Sequence, residues 1–276
     1  MTPIHDSRCQ LGEGAFWHPA RSEFFWFDIE GRKLHSLARS WDFDARASAM
    51  GWVDDAQAII ATETQLVVFD LTTGAQRSLC ALEADNPVTR SNDGRADPQG
   101  GFWIGTMGTR AEQGAGAIWR WYRGELRRLY TDITIPNAIS FAPDGQSVCF
   151  TDTPLRRIMR VTLDADGWPK GQPVCWLDLT GEGLNPDGAV FDAAGNFWVA
   201  QWGAGRVAAY TPDGQFLHAA DFPARHTTCP AFGGPDVSDL YCTTAREGRV
   251  KPTALDGATF CAKGIARGQR EHRVIL

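Results

Sequence analysis

The chain has 276 residues, 43% hydrophobic and 22% charged, with a formal net charge of -6 at pH 7. That balance suits a globular chain with a sizeable core and excludes wholesale disorder. Its acidity and the absence of a Lys/Arg run exclude a nucleic-acid surface, and no apolar run approaches a bilayer-spanning length.

In chain order, the N-terminal MTPIHDSRCQLGEG shows no basic segment followed by an apolar stretch, so a cytoplasmic location with no membrane partner is expected. The first recurring unit is GAFWHPARSEFFWFDI from Gly14: an apolar strand, a turn, then an aromatic-rich strand. A degenerate copy, DDAQAIIATETQLVVFD, begins at Asp54. Residues 81–89 are long enough for a helical turn, but Pro87 limits it. The unit returns as NDGRADPQGGFWIGTM from Asn92, PNAISFAPDGQSVCFTDT from Pro136, PDGAVFDAAGNFWVAQW from Pro186 and CPAFGGPDVSDLYCTTA from Cys229. Six units at spacings of roughly 35 to 50 residues have the period of β-propeller blades. The turns between paired strands carry Pro143-Asp144-Gly145, Ala194-Gly195-Asn196 and Gly233-Gly234-Pro235, and 29 glycines with 11 tryptophans suit short strands and tight turns. The reading is all-β, one six-bladed β-propeller over residues 1–276. After residue 246 the pattern weakens. Strands are expected at 257–265 and 272–276, with 4–9 donated as the strand that pairs the two ends and closes the ring.

The seven cysteines are scattered, odd in number and without a CxxC pair, so neither a disulfide framework nor a thiolate zinc site is expected. The six histidines form no HxH or HExxH pattern, which argues against a histidine metal site. GxSxG and a strand-borne GxGxxG are both absent, so neither a serine nucleophile elbow nor a nucleotide cofactor is implied.

In a propeller, the starts of the inner strands ring one mouth of the central channel. Glu13, Asn92, Asn137 and Asp187 each precede an apolar inner-strand candidate, so residues far apart in sequence are expected to converge there. Two carboxylates and two amides supply the oxygen donors that hard divalent cations prefer. The same residues sit in Asn-Asp-Gly, Pro-Asn and Pro-Asp-Gly, which are turn formers in any protein.

The motifs LGEGAFWHP, RSNDGRADPQGGFWIGTM, IPNAISFAPDG, FTDT, NPDGAVFDAAGNFWVAQWG and CPAFGGPD with LYCTTAR occur in this order over nearly the whole chain. In this the chain resembles the SMP-30/gluconolactonase family, which includes regucalcin and bacterial sugar lactonases. The resemblance implies a six-bladed propeller with one divalent metal ion (Ca, Zn, Mn, Mg or Fe) on Glu13, Asn137 and Asp187. It implies substrate contacts at Arg90, Asn92 and Glu112, the last lying in a variable loop without fixed register. The implied activity is hydrolysis of sugar (aldonic acid) lactones such as glucono-, xylono-, arabino- or galactonolactone. An ion on the lactone carbonyl would polarise it and stabilise the developing oxyanion, and Asp187 is the expected proton acceptor.

Two other readings stand beside this one: a metal-dependent esterase or organophosphate hydrolase, and a non-catalytic calcium-binding propeller. The expected partner is a small-molecule lactone, and the expected state a monomer or weak homo-oligomer. Trp17 and Trp202 read as core or rim aromatics, Asp152 as a support behind the site, and His226 as a loop residue near the channel. The loop 106–116 is the expected seat of specificity.

Overall fold

The computed structural model describes residues 1–276. Strands of three to ten residues, joined by turns, build six antiparallel sheets in which each strand pairs with its neighbour in sequence. Blades 1 to 5 have four strands each and span 12–42, 47–81, 89–133, 136–178 and 185–221; blade 6, 227–262, has three. Helix is confined to one 3₁₀ turn, Thr153–Leu155, and no helix is long and apolar enough to cross a membrane.

The inner strands are Gly12–His18, Ala47–Trp52, Thr89–Ala96, Pro136–Phe141, Asn185–Phe191 and Thr227–Gly233. Each packs beside the next around a ring, and the first meets the sixth. The core therefore lies between blades. Phe25 and Phe27 of blade 1 pack with Ile60 and Phe69 of blade 2, all of them fully or almost fully buried. The ring shuts where Trp17 and Phe24 of blade 1 stack on Tyr241 of blade 6, at centroid distances of 5.7 and 4.4 Å. Burying each such ring contributes about 1.5–3 kcal/mol, so the closure is hydrophobic as well as topological.

The chain ends differ from expectation. Blade 6 gains an N-terminal edge through one bridge, Pro3 to Phe260, and two bonds, Ile4 N to Thr259 O at 2.9 Å and Cys9 N to Gly257 O at 2.8 Å. Residues 4–9 do not form a regular strand, because Ser7 N is taken by the His5 side chain at 3.0 Å in a local turn. Of 257–265 only Phe260–Ala262 is a strand. The stretch 272–276 is not a strand, because its bonding partners lie on different blades. Val274 N donates to Trp52 O at 2.8 Å and Ile275 N to Gly100 O at 2.9 Å, while just upstream Gly268 N donates to Val237 O and Ala193 N to Arg267 O. The C-terminal segment is a strap laid across the far ends of the inner strands. Its Val274 is fully buried among Val53, Ala96 and Phe102, over the space left by Gly51.

Truncating Val274 to Ala leaves a cavity where three elements meet. It is expected to lower stability by about 1–3 kcal/mol in denaturant unfolding. An unchanged unfolding midpoint would mean that the strap adds nothing to the fold.

Candidate metal centre and substrate pocket

Each inner strand breaks register with its neighbour at the same height. The irregularities fall between Glu13 and Phe16, Ala47 and Ala49, Ser91 and Gly94, Asn137 and Ser140, Pro186 and Ala189, and Thr227 and Pro230. A β-bulge bends the strand and re-aims the residues around it. Here six bulges turn Glu13, Asn92, Asn137 and Asp187 toward one end of the channel. Backbone demands at the bulge fix the small residues beside the acids. Gly14 has φ +56°, and a Cβ there would lie 2.3 Å from Ser48 O. At Gly188 a Cβ would meet the Cys229 backbone at 2.9 Å.

A cavity of about 480 Å³ opens at this mouth. Glu13, Arg90, Asn92, Asn137 and Asp187 all line it, and each is less than a tenth exposed. Their bonds form one chain. Arg90 donates through one terminal nitrogen to Ser91 O and to Asn92 Oδ1, both at 2.9 Å. Asn92 Nδ2 donates to Asn137 Oδ1 and to Pro136 O, both at 3.0 Å. Asn137 Nδ2 donates to Thr153 Oγ1 at 2.9 Å, and Thr153 Oγ1 donates to Pro186 O, next to Asp187, at 2.8 Å. Asp152 accepts from the amides of Thr134 and Ile135 at 3.0 and 2.8 Å, fixing the turn that delivers Asn137.

Burial raises both the Glu13 and the Asp187 carboxyls well above their ordinary range, reinforced at Glu13 by the charges of Asp187 and Asp93 and at Asp187 by that of Asp93. Asp93 adds to this. It is buried beneath them, accepts from Ile139 N at 2.7 Å and is pushed up to about 6, chiefly by burial, with Arg95 opposing. Three buried acids with so little compensation favour protons or a cation. Two carboxylates and the Asn137 amide oxygen are all hard donors, and the donor set fits a divalent ion of the Ca²⁺, Mg²⁺ or Mn²⁺ type. The Arg90 Nε has no partner in the protein.

Glu112 does not line the cavity. Its carboxylate accepts from Arg110 N at 3.0 Å and folds against Gly108, so it caps its own turn, and the loop reaches the cavity through Thr109, Arg110 and Ala111 instead. Sequence reasoning passed over Asp93, Glu30 and Glu247. Asp93 adjoins Asn92, and strict strand alternation would point it away; only the bulge lets consecutive residues share the channel. Glu30 and Glu247 lie in loops outside the repeat motif. Trp202 lines the cavity, stacked on His226 with centroids 4.1 Å apart, and His226 stands behind it.

A propeller with a buried acid pair and a bonded Arg-Asn-Asn chain at one channel mouth defines the class. Within it, residues 11–246 match the family described as SMP-30/Gluconolactonase/LRE-like region, and the chain belongs to that family. A Rhizobium meliloti (strain 1021) protein provisionally named a sugar lactone lactonase is 40% identical over 252 residues, covering 89% of this chain and 85% of its own. A 6-deoxy-6-sulfogluconolactonase from Pseudomonas putida is 33% identical, covering 92% and 91%. The crystal structure of a calcium-binding protein, regucalcin, from Agrobacterium tumefaciens str. C58 superposes with a TM-score of 0.95 at 39% identity, covering 99% and 97%.

The acid pair has a consequence for stability. Because Glu13 and Asp187 are raised in the folded state, the metal-free fold holds their protons more tightly than the unfolded chain does. The pair's stabilising contribution is complete below the ordinary carboxylate range and is lost as pH rises through the raised values. In chelator-treated protein, Asp187→Asn is therefore expected to stabilise at about pH 8, by about 1–3 kcal/mol, and to give no gain near about pH 4. Denaturant unfolding at the two pH values reads this directly. Equal stabilities at the higher pH would show that the pair is not electrostatically strained.

Proposed function

We propose that the protein hydrolyses sugar lactones to their free aldonic acids, using one divalent cation held by Glu13, Asn137 and Asp187. The observation that carries this reading is the pair of buried carboxylates, Glu13 and Asp187, beside Asn137 in a cavity that also presents Arg90. Kinship to proteins named for lactone hydrolysis supports it. A cation at that position would polarise the lactone carbonyl and lower the pKa of an adjacent water.

The protein's own groups supply the rest. Arg90 presents a rigid donor fork with an unused Nε, and Asn92 is fixed between Arg90 and Asn137. Together they hold hydroxyls or the ester oxygens in one orientation. Asp187 accepts a proton from the attacking water as its oxygen bonds to the carbonyl carbon. The ring C–O bond then breaks, and the proton goes to the departing ring oxygen, giving a hydroxy acid. Glu112 enters the reading as a loop residue that reaches substrate only if its turn opens.

The test begins with chelator-stripped protein and a panel of γ- and δ-aldonolactones, with acid release followed after adding Ca²⁺, Mg²⁺, Mn²⁺, Fe²⁺ or Zn²⁺ and spontaneous opening subtracted. Turnover of one or a few lactones, restored by metal, is expected. Asp187→Asn should remain folded and lose about 100-fold or more of kcat. Stoichiometric metal binding with no lactone turnover would replace the hydrolytic reading with a binding one.

A further inference from the structure

Several polar groups lining the cavity are already engaged inside the protein. Asn92, Asn137 and Thr153 form the chain described above, and Asn185 Oδ1 accepts from Arg156 Nε at 2.9 Å. Glu30 accepts from Arg46 Nε at 2.9 Å, and Arg46 is held in turn by Glu63 at 2.6 Å. Glu247 is different. It lines the cavity at its solvent-facing rim, on the loop after blade 6's second strand, and its carboxylate receives no donor from the protein. Its backbone is nevertheless pinned on both sides. Glu247 N donates to Gln10 O at 2.9 Å, and Glu247 O accepts from His226 Nδ1 at 2.8 Å.

The same histidine ring lies flat on Trp202, 22° from parallel. Trp202 and Glu247 are thereby held as one unit, an indole beside an open carboxylate, and both line the cavity. A carbohydrate needs that pair: an apolar surface for ring C–H groups and an acceptor for adjacent hydroxyls. Partial burial raises the Glu247 carboxyl, and Arg90 opposes this more strongly than Glu30 reinforces it. Glu30, already paired with Arg46, and the unpaired Glu247 thus line the cavity together with Arg90 and Arg110.

Resting on the lactonase reading, we propose that Trp202 and Glu247 form the subsite for the polyhydroxylated end of the lactone, away from its carbonyl. Glu247 accepts from the hydroxyls there and disfavours lactones bearing an anionic substituent at that end.

The test is steady-state kinetics on metal-supplied protein with three probes. These are the neutral aldonolactone turned over fastest in the panel above, γ-butyrolactone, which has no hydroxyl, and 6-deoxy-6-sulfogluconolactone. Glu247→Gln is expected to raise KM for the neutral sugar lactone by about 5- to 20-fold, the loss of one hydrogen bond to a charged acceptor, with kcat within about twofold. Its kcat/KM for γ-butyrolactone should not change, and its kcat/KM for the sulfonated lactone should rise. An unchanged KM for the neutral lactone in a folded, active variant overturns the subsite while leaving the hydrolytic reading intact. A parent protein that opens no lactone overturns both.

Discussion

The structure depends on one departure from regular sheet geometry, repeated six times. A β-strand sends alternate side chains to opposite faces, so a regular inner strand cannot concentrate neighbouring polar residues at the channel mouth. Each inner strand carries an irregularity at the same level, and there the alternation breaks. Polar groups from blades 1, 3, 4 and 5 converge as a result. Blades 2 and 6 contribute Ser48 and Thr228 at the same level, and these two knit the ring together. Ser48 Oγ donates to Ser91 Oγ at 2.8 Å, and Thr228 Oγ1 to Gly12 O at 2.5 Å. Four blades furnish chemistry, and two furnish the joints that hold it in register.

The electrostatics follow from that convergence. Glu13, Asp187 and Asp93 are withdrawn from water on a scaffold that is rigid because aromatic rings fill the gaps between blades. Such a site cannot relax by splaying its acids apart. Its remaining freedom is to hold protons, or a cation in their place, which ties its charge state to pH and to the integrity of the ring. Arg95 partly balances the deepest acid, and it is itself paired with Glu271 of the C-terminal strap, so the strap reaches electrically into the channel from the far side.

Much of this was legible in the sequence, because repeats and turn residues obey local rules. The recurring turn and aromatic strand gave the blade count, and residues at repeat starts gave Glu13, Asn92, Asn137 and Asp187, all of which the fold brings together. What was hidden depends on non-local geometry. Asp93 was masked by the assumption of alternation that the bulge violates. Glu247 and Glu30 belong to connections with no repeat signature, so nothing local marks them as pocket residues. Glu112 shows the converse. The family resemblance implied a substrate contact there, in a loop without fixed register, and its carboxylate caps the turn that bears it. The stretch 272–276 was expected as a strand, but its partners lie on different blades, and no pattern within one segment reveals that.

The strap also gives the molecule a polarity along its channel. The pocket opens at one mouth, while the C-terminal residues cross the other, bonded at Trp52 and Gly100 with Leu276 exposed. An anchor joined to that terminus would leave the pocket facing outward. Protein immobilised on a solid support through its C-terminal end would therefore present its reactive mouth to the bulk solution.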